Sequence, residues 1–530
     1  MLVELLLWGC TTAAAVLARP RQSPPQEGRW PRRLAFGGLF CLALAARATV
    51  PFWPLHSNDH AFDDIALALQ VPAQNGVARD LLRQYGAAWT ALQVAGTHLT
   101  GRTHDGLAAL SVLFGALALL TTVIAVQRAV GARSSVWLAG IFGALAPVGV
   151  RVAHSESPFV VAQLLVAIAL LLAVSQPSRW SNLGLGCVVL LLATGHAIGA
   201  GYAVGVALIA WSLYAPSWQT ALVLAGAATV GAAIDLNQNQ DLLLIRSGNG
   251  LAILGPIGAR TLWRDAAWVP TTWPLLAGVG CAVWVRSLSR PRWPAGIAAT
   301  LGILALGFTG ILPICCASDA LRYQAPWMPV VVLALGWSGG AVDLVPVRQQ
   351  RAARFAVAAL WMVLAFQARQ VVVGLRALDA QGQTYAALRQ ALGNRTSVVT
   401  WLVPEFSGSQ RAYLAAPSGR WSTGGPDVQA MPVDVAQFHC QRYGHLPAPA
   451  VLVLEPSCFI GASGPRPCES LRAYADHLVV KGRVTPLPQR LTSTAAEFLS
   501  LGTAPLDLEV WSARCPAGMQ RDSGAGRSNN

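Results

Sequence analysis

The segment His56-Ser57-Asn58-Asp59-His60-Ala61-Phe62-Asp63-Asp64 gathers three carboxylates and two imidazoles directly after an apolar stretch. A second polar knot, Arg151-Val152-Ala153-His154-Ser155-Glu156-Ser157, ends a later apolar stretch. Carboxylates and imidazoles can take a proton from a hydroxyl, orient a polar substrate or hold a cation. At the edge of a membrane they are costly, so they face a cavity or the aqueous boundary. Two acidic knots on the same side of a membrane imply one site built from loops.

Plainer roles stand beside each of these. Asp63 and Asp64 suit the first turn of a helix, where the dipole favours anions. Asn58-Asp59 is a good turn pair. Glu156 lies among Ser155 and Ser157, natural caps for a helix starting at Pro158. His196, inside an apolar stretch, fits a helix-packing polar group better than a ligand.

The elements that must position these groups are apolar spans. Of 530 residues, 54% are hydrophobic and only 12% charged, against about 25% charged in soluble domains; mean hydropathy is +0.48. The pattern is that of a polytopic α-helical membrane protein. Spans of about 20 apolar residues, or somewhat fewer, are expected at 2–18, 34–52, 106–127, 135–150, 158–175, 181–196, 198–214, 219–235, 273–288, 294–313, 325–343 and 354–372. The pair over 181–214 reads either as two helices or as one long helix, with Gly195-His196 as the break.

Charge sets the parity. The net charge is +14, carried mainly by Arg in short connectors, where it orients helices. No basic cluster is interleaved with exposed aromatics, so nucleic acid is excluded as a partner. Residues 2–18 lack a basic leading region, and the basic cluster Arg19, Arg21, Arg29, Arg32 and Arg33 follows them. This order predicts a retained helix with its N-terminus outside. The connectors 19–33, 128–134, 176–180, 215–218, 289–293 and 344–353 then fall in the cytoplasm, and both acidic knots fall outside.

Four parts follow: an extra N-terminal helix with a basic loop (1–33), the membrane region holding the site (34–372), a soluble α/β domain (373–520) and a disordered tail (521–530). In the α/β domain Ser397–Val403 and Ala450–Glu455 read as buried strands, and Thr384–Leu392 and Glu469–Leu478 as helices. Its Cys440, Cys458, Cys468 and Cys515 form an even set, expected as two disulfides in an exported domain, with three pairings open.

Further motifs are Arg47 near the end of a span, Tyr85-Gly-x-x-Trp89 in the first outer loop, the Arg151-x-x-x-Ser-Glu-Ser knot, and Leu321-Arg322-Tyr323 before a Pro-containing span. Over residues 34–372 this plan resembles the GT-C glycosyltransferases that use polyprenyl-phosphate sugars, the superfamily of protein mannosyltransferases and lipid A aminoarabinose transferases. One departure is that Asp59-His60 stands where such proteins often carry Asp-Glu, so either Asp59 or the Asp63-Asp64 pair matches the family Asp. The resemblance implies an inverting transfer with Asp59 as base and Glu156, with His154 nearby, as the second acidic group. Asp63 is the next candidate base. Arg322 would contact the lipid phosphate with Tyr323 beside it, and Arg151 is an alternative; His60, Asp64 and Tyr85 complete the expected substrate contacts. Arg322 also fits a topology or headgroup residue.

The expected partners are a lipid-linked sugar donor on polyprenyl phosphate, an acceptor lipid, glycan or protein, and the membrane itself. The sequence assigns no definite cofactor, and a divalent cation is an open alternative. Asp59, His60, Asp63, His154 and Glu156 offer ligands for a divalent cation, although their spacing matches no particular metal. The Ala- and Arg-rich composition points to a bacterial inner membrane with the site on the periplasmic face. Two other classes compete. A secondary transporter would show internal repeats and ionisable groups at the midplane, and neither is seen. A membrane-anchored periplasmic binding protein would place its function after residue 372, where the sequence carries no catalytic motif.

Overall fold

The computed structural model describes residues 2–20, 29–48, 104–131, 134–153, 158–195, 199–214, 223–231 and 325–341, and, beyond these, scattered helical positions, seven strands and the 440–445 turn. The described part is mostly helical. Its helices are α1 (Leu2–Leu17), α2 (Arg29–Ala48), α3 (His104–Val130), α4 (Ser134–Leu145), α5 (Pro147–Ala153), α6 (Pro158–Ala173), α7 (Arg179–Thr194) and α8 (Gly199–Tyr214). A 3₁₀ turn at Ala325–Trp327 leads into α9 (Met328–Ala341).

Apart from α2, whose first turns carry Arg29, Arg32 and Arg33, these segments are Leu-, Ala- and Val-rich and largely apolar all round, the pattern of a helix surrounded by protein or lipid. Outward-facing positions remain apolar, among them Val16 at 78% exposure, Leu34 at 72% and Trp180 at 58%. Among the described residues one helix is long and apolar enough to cross a membrane: Ala109–Val130, 22 residues with mean hydropathy 2.4. At about 1.5 Å per residue it matches a hydrocarbon core of about 30 Å. The other apolar helices run to 10–17 residues. The expected spans at 273–288, 294–313 and 354–372 lie largely outside the described residues.

Polar contacts fix the direction of each helix. At one end of the bundle, Arg128 at the foot of α3 donates to the Ala18 carbonyl (3.1 Å) and to Ser175 Oγ (2.7 Å). The Gln176 N–H donates to Arg19 O at 2.8 Å, and Pro20 bridges Ser175. Ser135 Oγ, at the start of α4, donates to Gly336 O near the end of α9 at 3.0 Å. The connectors expected to share one side, around 19, 128–134 and 176, therefore meet, and α9 also ends there. Helix α1 is packed along α7 as part of the bundle; a Cβ on Gly184 of α7 would stand 2.5 Å from Ala14 Cβ of α1.

The 181–214 segment is two helices. Ser178 caps α7, accepting from Ser181 N at 3.0 Å. The helix ends at Gly195, whose N–H donates to Leu192 O. Gly199 then starts α8 so close to the Leu192 carbonyl that any side chain would collide. Two boundaries differ from expectation. The span placed at 34–52 begins earlier, at Arg29, because Pro31 is tolerated in a first turn. The span placed at 135–150 is broken at Ala146, because Pro147 has no N–H and its ring clashes with the carbonyl four residues back.

After residue 372 a five-stranded mixed sheet forms in the order β2-β1-β3-β7-β6. Its strands are β1 (Val399–Val403), β2 (Val428–Pro432), β3 (Ala450–Leu454), β6 (Val479–Pro486) and β7 (Glu509–Arg514); β4 (Ser457–Phe459) and β5 (Arg466–Pro467) pair separately. β1 runs parallel to β2 and to β3, with Trp401 opposite Ala430 and Val451; β7 is antiparallel to β3 and β6. Of the interior strands, β3 is a continuous apolar run and β1 is apolar except for Thr400, the composition common in the middle of a sheet. The edges carry what blunts pairing: Pro432 on β2, and Lys481, Arg483 and a register shift on β6. The two expected strands are present, shortened at their ends. The expected helices at 384–392 and 469–478 lie outside the described residues. Cys440 is buried and disulfide-bonded.

Candidate functional site

Most of the expected site residues, Asp59, His60, Asp63, Asp64, Tyr85, His154, Glu156, Arg322 and Tyr323, lie outside the described residues. The backbone of Arg151 belongs to α5. The structure does describe the stems from which these segments leave the bundle, and the stems converge.

Three approaches define that end. Helix α2 brings Arg47 there one residue before Ala48, from which the chain runs to the Asp59 segment. Helix α5 ends at Ala153, from which it runs to His154 and Glu156. The 3₁₀ turn Ala325–Trp327 begins two residues after Tyr323 in sequence. Arg47 and Ala153 meet around Gly115 of α3, where a Cβ would stand 2.6 Å from Ala153 Cβ and 2.9 Å from Arg47 Nε. α5 also touches the 3₁₀ turn. Beside them, Tyr202 of α8 sits between Phe159 at the start of α6, edge to face (centroids 6.5 Å), and Trp327, tilted against it (5.7 Å). All of this is at the opposite end from the Arg128 contacts.

Arg47 is the group that sequence reasoning undervalued. An arginine in the last turn of an apolar helix normally lays its stem along the surface and reaches for water. Here it is fully buried. Its Nη1 donates to the Ala43 carbonyl of its own helix at 3.1 Å and to the Ala144 carbonyl of α4 at 3.2 Å. The Nη2 side abuts Gly149 of α5, where a Cβ would come within 3.1 Å of it and within 3.7 Å of Gln163 Nε2 on α6. Gln163 is itself 4% exposed, and among the described residues its Oε1 meets no hydrogen-bond partner. Gly115, Gly149 and Gln163 give little sign of this in sequence, because glycine and one amide are ordinary inside helix bundles.

Chemically, the described end offers a buried cation, an amide and an aromatic cluster beside three exits of the chain. Among the described residues no group of three or more His, Cys, Asp or Glu is poised to hold a metal. The residues offered for a divalent cation are not among those described.

No family model matches this chain, and no curated protein does. Among solved structures, it is similar to the crystal structure of ArnT from Cupriavidus metallidurans in the apo state, with 13% identity and a TM-score of 0.49 over 92% of this chain and 98% of that one. It is also similar to the Archaeoglobus fulgidus oligosaccharyltransferase in the apo form, with 12% identity and a TM-score of 0.43 over 81% of this chain and 70% of that one.

Proposed function

We propose that the protein is an integral membrane glycosyltransferase of the GT-C type that moves a sugar from a polyprenyl-phosphate donor to an acceptor lipid, glycan or protein on the periplasmic face of a bacterial inner membrane. The observation that carries the reading is the convergence of the stems: the chain leaves for the Asp59 and Glu156 segments, and returns from Arg322, at one end of the bundle. A site assembled from loops needs that convergence, and a binding domain on a membrane anchor does not.

In this mechanism the donor is already activated, so the acceptor hydroxyl must lose its proton as it attacks the anomeric carbon. Asp59 accepts that proton, and attack opposite the leaving phosphate inverts the centre. Glu156 supplies the second carboxylate from the next outer loop, with His154 beside it. Arg322 neutralises charge gathering on the departing lipid phosphate, Tyr323 packs against it, and Arg151 is the alternative cation. Asp63 is the next candidate base. His60, Asp64 and Tyr85 line the substrate path.

The test is transfer of radiolabelled sugar from a panel of polyprenyl-phosphate sugars to endogenous acceptors, in membranes holding the native chain, Asp59→Asn or Glu156→Gln. Transfer by the native chain and its loss in both variants supports the reading; equal transfer in all three rejects it. Topology is tested separately. An impermeant maleimide applied from the periplasm should label Cys440, Cys458, Cys468 and Cys515 only after reduction, and should leave a cysteine placed in 344–353 untouched.

A further inference from the structure

The break between α4 and α5 needs something to hold it. A helix end leaves its last carbonyls without intrahelical donors and carries partial negative charge. Helix α4 ends at Leu145 and α5 begins at Pro147, so Ala144 is among those last carbonyls. Its hydrogen bond comes from a different helix, from Arg47 Nη1 at 3.2 Å, and the same nitrogen is anchored on Ala43 O at 3.1 Å. The guanidinium therefore joins the end of α2 to the end of α4. Beyond the break α5 closes over it. Gly149 leaves room for Nη2 and Gly115 for Nε, while Ala153 rests on the same patch of α3.

We propose that Arg47 is a positioning residue. By capping α4 and filling the space under α5, it fixes the angle at which the chain turns at Ala146 and so where α5, which carries Arg151, ends at Ala153. The consequence for turnover rests on the glycosyltransferase reading above; the consequence for the placement of α5 does not.

The experiment separates the two. Val152 of α5 and Val126 of α3 are both buried, at 3% and 1% exposure, toward opposite ends of the bundle. Each is changed to Cys in the full-length, detergent-solubilised chain, with Arg47, Arg47→Met or Arg47→Lys. Modification by N-ethylmaleimide is followed site by site by mass spectrometry. In Arg47→Met, Val152→Cys should react about tenfold faster, the change expected when one buried hydrogen bond from a charged donor is lost from a local opening. Val126→Cys should keep its rate. Arg47→Lys, which retains a cationic donor, should restore part of the protection. An unchanged Val152→Cys rate, equal acceleration at both positions or no rescue by Lys would each overturn the assignment, the second because it reports general loosening.

The kinetic arm uses the native cysteines and the donor that the native chain accepts. Arg47→Met should lower kcat while donor KM changes little, since the donor contacts are retained but their alignment with the acceptor is not. Altered labelling with kcat unchanged overturns the link from α5 to turnover. Altered labelling in a chain that transfers no sugar from any donor overturns the glycosyltransferase reading and leaves the placement of α5 supported.

Discussion

Arg47 and Arg128 each bring a guanidinium to the carboxyl end of a neighbouring helix, at opposite ends of the same bundle. Arg128 is half-buried; its partners are the Ala18 carbonyl and Ser175 Oγ, on segments that run on into basic connectors. Arg47 is fully buried, among glycines, at a break in a helix. The Arg128 end is thus a clasp between continuous helices and sits where charge is cheap. The Arg47 end holds a cation where charge is expensive, and a proline has interrupted the very helix it serves. Expensive groups persist where something beyond packing depends on them, which is why the candidate chemistry belongs at the Arg47 end.

Substitutions can break or sharpen this contrast. The largest effect is expected from the loop leaving α2. Asp59→Asn keeps size and hydrogen bonding but removes the proposed base, so on that proposal transfer should fall about 10²–10⁴-fold while the chain still inserts. Loss of activity in Asp63→Asn or Asp64→Asn, with Asp59→Asn intact, would shift the base by one helical turn; activity in all three would remove chemistry from this loop.

Gly115→Ala comes next. Its new methyl would lie 2.6 Å from Ala153 Cβ and 2.9 Å from Arg47 Nε, an overpacking that costs about 1–3 kcal/mol. A lowered midpoint of thermal unfolding in detergent, together with reduced transfer, would place it at the working end. An unchanged midpoint would mean that this end is looser than the contacts indicate.

A smaller and different effect is expected at the clasp. Arg128→Met removes the donor to Ala18 O and Ser175 Oγ, which at this half-exposed position costs roughly 1 kcal/mol. Proteolysis after Arg19 or Arg21 should speed up while kcat stays the same. A drop in kcat as large as that of Arg47→Met would erase the distinction between the two ends.

Gly37→Ala should have the least effect and the opposite sign. Nothing stands within 4 Å of the added methyl, and replacing glycine in a helix interior gains about 0.5–1 kcal/mol. A slightly raised midpoint is the expected result, and a marked loss would reveal an unseen neighbour.

Much of the architecture was legible because it depends on local composition. Apolar runs define α1, α3, α6 and α7 to within a few residues, and the connectors around 19, 128–134 and 176, grouped by their charge, meet at the Arg128 contacts. The strands Val399–Val403 and Ala450–Leu454 announce themselves as apolar, β-branched-rich runs, the first broken by Thr400 alone. The strand Val479–Pro486 does not, since an edge strand with Lys481 and Arg483 looks like a loop in sequence. The acidic knots were visible as residue types, whereas their mutual approach concerns residues that the structure does not describe.

The sequence alone determined the apolar character of the chain, the approximate extent of α1, α3, α6 and α7, and the two acidic knots beside apolar runs. Each follows from hydropathy, charge or backbone chemistry acting over one or two turns. The tertiary structure decided that Pro147 breaks a span instead of bending it, that residues 181–214 fold into two helices, and above all that Arg47 faces inward. That last choice depends on Ala144, Gly115, Gly149 and Gln163, which lie roughly 70–115 residues further along the chain. Whether a guanidinium at a helix end reaches water or a carbonyl is settled by which neighbour leaves room for it, and only packing determines that.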